Sequence, residues 1–470
     1  MSMAKINTST SNPVKDNTFF NSKECAVDIS PKKDHLIKNK FLHHNDGTFW
    51  TSNEKTYWIF GLLFGTAMLY ASRTLMPLCV VSISEEMGWD KTESGTVLSA
   101  FFWGYTMTQF LGGYLSDRIG GEVVLPVAAC MWSLITFWTP QLAYLSTDKH
   151  TSLHIVVLSR VALGIFQGFH FPGMTSLISR RVLEHQRSFL YSVVASGSHF
   201  GTLLTGSMGS VMLDSYGWSL PFYIIGLSGL CWMLVMKYVL IGKQRNRSIM
   251  VSLNEAQLID TGKLKPEPRS PVPWVYLLTK PAFWSLLVGH FCENNAFFIL
   301  LSWMPTYFHE SFPTAKGWVF NVVPWVVTIP SSIGSGWIAD KMITKGYTVT
   351  FVRKAMETVA LCGTAFFLFL ISYASSYSSC LICMALAVAC CGFHNSGILV
   401  NPQDIAPKHA GSVFGIMNMA GAIPGFVGVY IAGHILEVTK SWNAVFGQTA
   451  MVCLFGWAVF IIFGTGKKIV

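Results

Sequence analysis

Charged side chains are scarce in this sequence. Only 12% of its 470 residues are Asp, Glu, Lys or Arg, whereas 51% are hydrophobic. Soluble domains carry about 25% charged residues. The shortage therefore excludes an ordinary soluble domain and indicates a membrane protein.

Patterns typical of catalysis and metal binding are also missing. The sequence contains neither H-E-x-x-H nor G-x-S-x-G, and its histidines lack the clustered spacing that a metal site needs. Its eleven Cys fall almost entirely in apolar segments, without the paired spacing of a disulfide framework. We therefore expect no enzymatic activity, no metal and no organic cofactor.

Long apolar segments are what the sequence does contain. Crossing a bilayer takes about 20 apolar residues, and twelve segments of that kind predict an all-α membrane protein with twelve transmembrane helices. The segments are 57–83, 93–115, 122–145, 153–175, 188–212, 218–241, 281–305, 317–340, 352–374, 378–402, 409–434 and 442–465.

The basic residues predict the orientation of these helices. Residues 1–56 are polar and rich in Lys, without the apolar core of a signal peptide, and they are interpreted as a disordered cytosolic tail. Most other basic residues fall in loops on the side of this tail; the opposite loops hold four, namely Lys91, Lys149, Lys316 and Lys440. The positive-inside rule then places both termini in the cytosol. The net charge of +9 is thereby explained by orientation and anionic lipid, and no nucleic-acid partner is expected.

A stretch rich in Lys, Arg and Pro divides the twelve spans into two sets of six. This predicted cytosolic loop, 242–280, separates an N-terminal bundle (57–241) from a C-terminal bundle (281–465), which a short cytosolic tail (466–470) follows. Two parallel six-helix repeats resemble the major facilitator fold, in which substrate binds between the halves near the midplane.

A short motif occurs at the end of one span in each half. Gly113, Asp117 and Arg118 end span 2, and Gly336 and Asp340, followed by Lys, end span 8 in register. Glycines allow close helix packing, and a carboxylate at a helix end can cap, pair and hold a gate shut. We therefore assign Asp117, Arg118 and Asp340 to gating.

Three charges lie far from the predicted span ends: Arg73, Arg160 and Glu293. Charges at membrane depth mark functional sites, and a guanidinium group matches a carboxylate or phosphate in bidentate fashion. Two such arginines predict an anionic ligand, although pairing with Glu293 is the alternative. Gln167 lies seven residues after Arg160 and so shares its face of span 4. Glu293 is expected either to pair with a cation or to be protonated.

Aromatic and imidazole side chains supply further candidates. Tyr105 and Phe298 are expected to stack on a planar ligand. Four histidines stand alone in their spans and are interpreted mainly as buried hydrogen-bonding residues: His170, His199, His290 and His394. Of these, His394 is the best cavity candidate because Asn395 and Ser396 adjoin it.

Several runs resemble the anion transporters of solute carrier family 17. They are SAFFWGY at 99–105, GGYLSDRIGG at 112–121, SRVALG at 159–164 and NPQDIAP at 401–407. The resemblance covers nearly all of 57–464, and FFILLSWMPTYF at 297–308 and AKGWVFNVVPW at 315–325 resemble the branch of the family that transports nucleotides.

The resemblance implies a function. That branch loads ATP and related nucleotides into secretory or lysosome-related vesicles by alternating access, driven by the membrane potential that a vesicular proton pump creates and stimulated by chloride. Its anion-binding arginines fall on Arg73 and Arg160, and its motifs add Asn401 as a ligand contact and Asp404 as a gating residue. The glutamate branch has His, Glu and Arg where Leu98, Gln167 and Glu293 stand here, which disfavours glutamate as substrate.

Other functions remain possible at this point. A receptor or channel would lack the six-plus-six repeat. Among transporters, the alternative is a carrier of another organic anion, such as an acidic amino acid, sialic acid or phosphate.

Overall fold

The computed structural model describes residues 50–241, 271–313 and 317–470. The predicted tail up to residue 49 and the predicted loop from 242 to 270 lie outside these residues. Within them the elements are all helical and no strand occurs, which confirms the all-α prediction. The described residues belong to one compact unit.

Twelve helices follow the twelve predicted spans, some of them in several segments. They are α1 (Ser52–Met87), α2 (Lys91–Ile119), α3 (Gly121–Ala143), α4 (Lys149–Gln167 and His170–Arg181), α5 (Arg187–Leu204, Thr205–Gly209 and Ser210–Tyr216), α6 (Ser219–Val235 and Met236–Ile241), α7 (Pro281–Ser311), α8 (Gly317–Thr344), α9 (Val349–Ile371), α10 (Tyr377–Cys391, Gly392–Asn395 and Pro402–Ile405), α11 (Ala410–Ala422, Ile423–Gly425 and Val427–Thr439) and α12 (Trp442–Phe463).

The first helix begins five residues before the predicted span. The Thr51 hydroxyl accepts a hydrogen bond from the Glu54 N–H group, and the Glu54 carboxylate accepts one from the Thr51 N–H group, so a capping box starts α1. Trp50 is buried and stacks on Trp58, with 4.9 Å between ring centroids. The prediction of a disordered tail to residue 56 is therefore wrong for residues 50–56.

The C-terminal end is also ordered against the bundle. The backbone N–H groups of Ile469 and Val470 donate to the carbonyl oxygen of Ile405, at 2.7 and 3.1 Å. Within the predicted central loop, Trp274–Leu278 forms a short helix just before α7. The predicted C-terminal tail is thus bonded to the bundle, and the last part of the predicted central loop contains a helix.

Among the described residues, nine helices are long and apolar enough to cross a membrane. Those that fall short are α2, α5 and α7. All three pack against other helices: α2 contacts α4 and α11, α5 contacts α1 and α8, and α7 contacts α11 and α12. Each of the three buries polar side chains against protein, among them Gln109, Ser192 and Asn295, as membrane helices require.

Contacts divide the helices into two sets of six. Helices α1–α6 pack mainly on one another, as do α7–α12, while α2 with α11 and α5 with α8 join the sets. Within the first set, α2 and α4 touch at glycines. A Cβ on Gly104 would lie 2.1 Å from the Val161 oxygen, and a Cβ on Gly164 would lie 2.0 Å from the Phe101 oxygen. This close approach brings Phe101 of α2 beside Arg160 of α4.

Candidate substrate site

The repeated motif ties the two bundles together at one face of the molecule. The Asp117 carboxylate accepts hydrogen bonds from two backbone N–H groups at the start of α11, at 3.1 and 2.7 Å. Asp340 accepts in the same way from two N–H groups at the start of α5, at 3.2 and 2.9 Å. A carboxylate at a helix N-terminus satisfies free N–H groups and interacts favourably with the helix dipole. We call the face that holds Asp117 and Asp340 the motif face.

The glycine of each motif copy allows this contact. A Cβ on Gly113 would lie 1.9 Å from the Gly411 oxygen, and one on Gly336 would lie 2.7 Å from the Ser188 oxygen. Any larger residue would separate the bundles here. Arg118 is exposed at this face, where its Nη1 donates to the Tyr114 hydroxyl at 3.1 Å.

A buried ion pair lies behind the motif. Arg353 of α9 binds Asp404 through two N–H groups, at 2.7 and 3.2 Å, and both side chains are 0% exposed. Arg353 also donates to the Ser188 hydroxyl of α5 at 2.8 Å, and Arg187 donates to the Gln403 carbonyl at 2.9 Å. Asp404 therefore lies at the closure between bundles, as its predicted gating role requires.

Asn401 belongs to the same closure. Its Nδ2 donates to the Thr465 carbonyl at 2.9 Å and lies 3.4 Å from the Asp404 carboxylate. The structure thus places Asn401 beside the buried ion pair and outside the lining of the central cavity. Its predicted contact with substrate does not fit this position, and we reassign it to the closure.

A central cavity of about 120 Å³ lies between the bundles. Three predicted site residues line it: Tyr105, Glu293 and His394. Pockets for drug-sized ligands measure about 300–1,000 Å³, so a large organic anion requires the bundles to move apart. The other lining residues are Tyr70, Phe171, Tyr191, Ala195, Ser198, His199, His290, Asn294, Phe297, Thr328, Val388, Cys391, Gly392, Asn395, Leu399, Phe414 and Asn418.

Arg73, Arg160 and Gln167 lie outside the cavity lining, and the two arginines share an aromatic setting behind its N-terminal wall. Their guanidinium carbons lie 4.8 and 5.3 Å from the centroid of the Phe101 ring, and Arg73 lies 4.5 Å from the ring centroids of the cavity residues Tyr70 and Tyr105. In the described part of the chain, neither arginine has a carboxylate partner. Arg73 Nη2 and Arg160 Nε are buried there without a hydrogen-bond acceptor. Such donors favour an anion.

Gln167 holds one of these arginines without neutralising it. Arg73 Nε donates to Gln167 Oε1 at 3.3 Å, while Gln167 Nε2 donates to the Leu69 carbonyl and the Ser72 hydroxyl, each at 3.3 Å. The amide is thus oriented with its oxygen toward the guanidinium group. Since an amide carries no net charge, the positive charge of Arg73 stays available to a ligand.

Comparison with known proteins agrees with this geometry. Residues 62–429 match the Major Facilitator Superfamily. The chain is 43% identical, over 90% of its length and 94% of the relative's, to the voltage-gated purine nucleotide uniporter SLC17A9 of Homo sapiens. The chain belongs to solute carrier family 17 of the major facilitator superfamily. It is thus a transporter and not an enzyme, as predicted.

A more distant relative and a solved structure are also similar to the chain. Sodium-dependent phosphate transport protein 1, chloroplastic, of Arabidopsis thaliana is 33% identical over 90% of this chain and 81% of its own. The proton:xylose symporter XylE matches with a TM-score of 0.70 at 14% identity, over 89% of this chain and 98% of its own. The second match shows the fold alone, and it confirms the predicted major facilitator architecture.

The carboxyl group of Glu293 lies in the cavity wall of this family 17 member. The residue is buried, and its Oε2 has no hydrogen-bond partner among the described residues. No basic side chain there forms an ion pair with it, so the predicted pairing with Arg73 or Arg160 is not observed. Of the two expected states, a protonated carboxyl fits this environment better, because a buried carboxylate without a partner is unfavourable.

Two of the supposedly isolated histidines meet in the cavity wall. His290 Nδ1 lies 2.9 Å from His394 Nε2, and His394 Nδ1 lies 2.9 Å from a carboxylate oxygen of Glu357, which is fully buried in α9. The other two lie apart from this pair: His170 bonds to the Thr66 hydroxyl at 3.0 Å, and His199 stacks on a tryptophan of α8. Spacing along the chain does not reveal this pair, because its members come from α7 and α10.

The aromatic candidates divide between cavity and interface. Tyr105 lines the cavity, whereas Phe298 contacts Phe102 of α2 edge-to-face, with centroids 6.5 Å apart. Its neighbour Phe297 faces the cavity instead and lies near His199 of α5. The prediction therefore chose the wrong phenylalanine of the pair, and Phe297 is the aromatic residue of α7 that can meet a ligand.

Proposed function

We propose that this family 17 transporter carries nucleotides, ATP foremost, from the cytosol into a vesicle, driven by the membrane potential. The observation that carries the proposal is the pair of buried arginines, Arg73 and Arg160, whose unpaired donors lie beside aromatic rings. Phosphate groups match these donors, and Phe297 and Tyr105 offer faces on which a base can stack. The human and mouse relatives, 43% and 42% identical, are named as purine nucleotide uniporters.

Voltage is the proposed driving force because the N-terminal site has permanent charge and little that titrates. Gln167, beside Arg73, cannot exchange a proton. Moving one charge through 100 mV is worth about 2.3 kcal/mol, so ATP with roughly four negative charges gains on the order of 9 kcal/mol on entering a positive lumen. That gain corresponds to more than ~10⁶-fold accumulation at the limit.

Alternating access follows from the closure at the motif face. We assign this face to the cytosol, as the distribution of basic loops predicts. The links made by Asp117, Asp340 and Arg353 hold it shut in the described conformation. Breaking them opens the Arg73 and Arg160 site to cytosolic nucleotide, and reforming them traps the nucleotide for release on the other side.

The cellular setting is proposed from the family resemblance. We place the protein in the membranes of secretory or lysosome-related vesicles, where a proton pump makes the lumen positive, and we propose chloride as a stimulating ion. Replacing chloride by gluconate in an uptake assay tests the latter: uptake should fall, and unchanged uptake removes chloride from the account.

A smaller organic anion is the second candidate. The cavity of about 120 Å³ suits a compact solute, and plant relatives 33% identical to this chain are named for phosphate and ascorbate. Both candidates use the same arginine pair, so they differ in the size and charge of the cargo rather than in the site.

Uptake by the purified full-length chain in liposomes separates the two. With a potassium diffusion potential, inside positive, labelled ATP should accumulate saturably, and glutamate, ascorbate and phosphate should neither accumulate nor compete. Arg160→Ala vesicles serve as the control for leak and binding. Saturable uptake of phosphate or ascorbate, with ATP neither transported nor competing, would replace the nucleotide proposal by the second candidate.

A further inference from the structure

A chain of hydrogen bonds runs from α9 of one bundle to α2 of the other. Glu357 Oε1 lies 2.9 Å from His394 Nδ1, and His394 Nε2 lies 2.9 Å from His290 Nδ1. His290 Nε2 in turn lies 3.2 Å from Asn418 Oδ1, and Asn418 Nδ2 donates to the Tyr105 hydroxyl at 3.2 Å. We call Glu357, His394 and His290 the histidine relay.

The orientation of the Asn418 amide, whose Nδ2 donates to the Tyr105 hydroxyl, implies a protonation state for the relay. His394 Nδ1 faces a carboxylate and must carry a hydrogen, and one hydrogen lies between the two imidazole rings. His290 Nε2 faces the Asn418 oxygen, which only accepts, so this nitrogen must carry a hydrogen as well. Two neutral imidazoles hold two N–H hydrogens between them, whereas this arrangement needs three.

We propose that the histidine relay is a proton-binding site, which holds one proton beyond the two of a neutral histidine pair. Its protonation state then affects anion binding at Arg73 and Arg160. The imidazolium charge is shared by His290 and His394 and is balanced by the Glu357 carboxylate. This inference adds proton control to the proposed voltage-driven transport, and it depends on nucleotide transport only for one of its two readouts.

The groups around the relay are consistent with one positive charge on the histidine pair and one negative charge on Glu357. Glu357 also accepts a hydrogen bond from the Ile398 N–H group at 3.2 Å, which supports its ionised form. From α7, Glu293 and Cys292 face the relay, and Cys391 faces it from α10. With Glu293 protonated, as argued above, the carboxylate of Glu357 is the one counter-charge to the histidine pair.

Tyr70 of α1, Tyr105 of α2, and Tyr191 and His199 of α5 are the titratable groups that line the cavity from the first bundle. Arg73 lies behind the rings of Tyr70 and Tyr105. The Asn294 amide is uncharged. Its Nδ2 lies 3.1 Å from both ring nitrogens of His290, off the lone-pair direction of either, and it donates to the His290 carbonyl at 2.9 Å. It therefore leaves the count of three hydrogens unchanged.

Loss of the extra proton has a structural consequence at the bundle interface. A neutral pair leaves His290 Nε2 as an acceptor, which the Asn418 amide satisfies by turning over and presenting Nδ2. Its oxygen then faces Tyr105, whose hydroxyl must change from acceptor to donor. The Tyr105 ring lies 4.5 Å from the Arg73 guanidinium carbon, so the change reaches the anion site directly.

Loss of the proton also changes the charge beside the cavity. The relay goes from neutral to a net charge of −1, and His290 and His394 line the cavity that an anion would enter. A negative charge there repels the substrate. Nucleotide uptake should therefore decrease as the pH rises through the range in which the relay releases its proton.

Two measurements on the full-length protein test the proposal. The first is initial ATP uptake into liposomes at fixed potential, with equal pH from 6.0 to 8.5 on both sides. Wild type should lose about 5-fold or more across this range, whereas Glu357→Gln and His394→Asn should give flatter profiles. His154→Asn, at an exposed histidine of α4, should match wild type. Titration of ATP itself is common to all variants, so differences between their pH profiles of uptake report the protonation of the relay.

The second measurement is thermal unfolding over the same pH range. A folded state that binds one more proton than the unfolded state loses stability as the pH rises. The melting temperature of wild type should therefore fall more steeply with pH than that of His394→Asn or Glu357→Gln. This readout needs no substrate, so it decides the proton site even if ATP is not transported.

Tyr105→Phe separates the site from its coupling. It keeps the ring and the Asn418 oxygen that accepts from His290, but it removes the hydroxyl to which Asn418 donates, so the pH dependence of melting should persist while that of uptake weakens. Equal pH profiles of wild type and His394→Asn in both assays would overturn the proton site. A wild-type uptake profile in Tyr105→Phe would overturn the coupling route.

Discussion

The two bundles hold the same kind of ion pair in corresponding places, but only one pair is fully buried. In the first bundle Arg181, at the end of α4, binds Glu122 at the start of α3 at 2.7 Å, with side chains 23% and 18% exposed. In the second, Asp404 in the last segment of α10 binds Arg353 at the start of α9 at 2.7 Å, and both side chains are 0% exposed. The acidic residue lies on α3 and the basic one on α4 in the first bundle, whereas α9 carries the basic residue and α10 the acidic one in the second. The second pair also contacts α5 of the other bundle, through Arg353. The repeat thus places an ion pair in both bundles, but only the second bundle buries its pair and bonds it to the other bundle.

The interiors differ more than the closures do. The first bundle presents Arg73 and Arg160, permanently charged and lacking carboxylate partners in the described chain, whereas the second presents Glu357, His290 and His394, which are titratable and bonded to one another. The internal repeat therefore accounts for the motif and the ion pairs at the closure, but not for the different side chains in the interior of each bundle. Anion binding is assigned to arginines that lie behind the cavity wall of the first bundle, and proton binding to the histidine pair in the cavity wall of the second.

The largest effect is expected from breaking the buried pair. Asp404→Asn leaves Arg353 buried without its counter-charge, which should cost about 3–5 kcal/mol in the free energy of unfolding. Glu122→Gln is the matched change in the other bundle and should cost under ~1 kcal/mol because its pair is partly exposed. Denaturation of both variants in detergent measures the contrast; equal costs would mean that burial does not distinguish the two pairs.

Next in size is removal of a binding charge from the first bundle. Arg160→Ala should lower the initial rate of ATP uptake at least about 30-fold, since loss of a charged partner from a desolvated site costs about 2–5 kcal/mol. Arg160→Lys keeps the charge but not the fork of donors and should retain part of the activity. Near-normal uptake by the alanine variant, at equal protein levels, would remove Arg160 from the site.

A titratable group can be introduced into the first bundle by Gln167→Glu. Its carboxylate would lie where Gln167 Oε1 accepts from Arg73 at 3.3 Å, and it would neutralise that charge. ATP uptake at pH 7.5 should fall roughly 10-fold, or about 1.4 kcal/mol, and should recover at acidic pH as the new carboxyl group is protonated. Gln167→Met removes the hydrogen bond without adding charge and should show no such recovery; identical pH profiles would contradict the assignment.

The smallest effect concerns the aromatic residues of α7. Phe297→Ala should weaken ATP binding about 2–10-fold, in line with ~0.5–1.5 kcal/mol for an aromatic contact, and should leave inorganic triphosphate binding nearly unchanged. Phe298→Ala, directed at the α2 interface, should not discriminate between these ligands. Competition binding to both variants checks this, and equal losses for both ligands in Phe297→Ala would indicate a purely electrostatic site.

The sequence was sufficient for the spans, the repeat and the choice of Arg73 and Arg160 as charges within the bundle. Apolar length defines membrane helices almost regardless of context, and Arg160 and Gln167 share a helix face by spacing alone. Each residue turns a helix by about 100°, so choosing Phe298 over Phe297 required a helical phase that a largely apolar span does not reveal.

Contacts between distant spans could not be predicted in this way. Arg353 and Glu357 lie in the first turns of α9, near the end of a predicted span, yet both are fully buried. Their partners, Asp404 and His394, come from α10, and His290 comes from α7. Charge balance in three dimensions decides such groupings, and a single sequence does not contain it.

The central claim is that voltage, acting on the charge of a nucleotide bound by Arg73 and Arg160, drives transport. Its most direct test is ATP uptake by the full-length chain in liposomes with equal pH on both sides and a potassium diffusion potential varied in steps. Accumulation should rise steeply with a more positive interior and vanish at zero potential. Uptake that needs an acidic interior at zero potential, and that ignores the imposed voltage, would contradict the account.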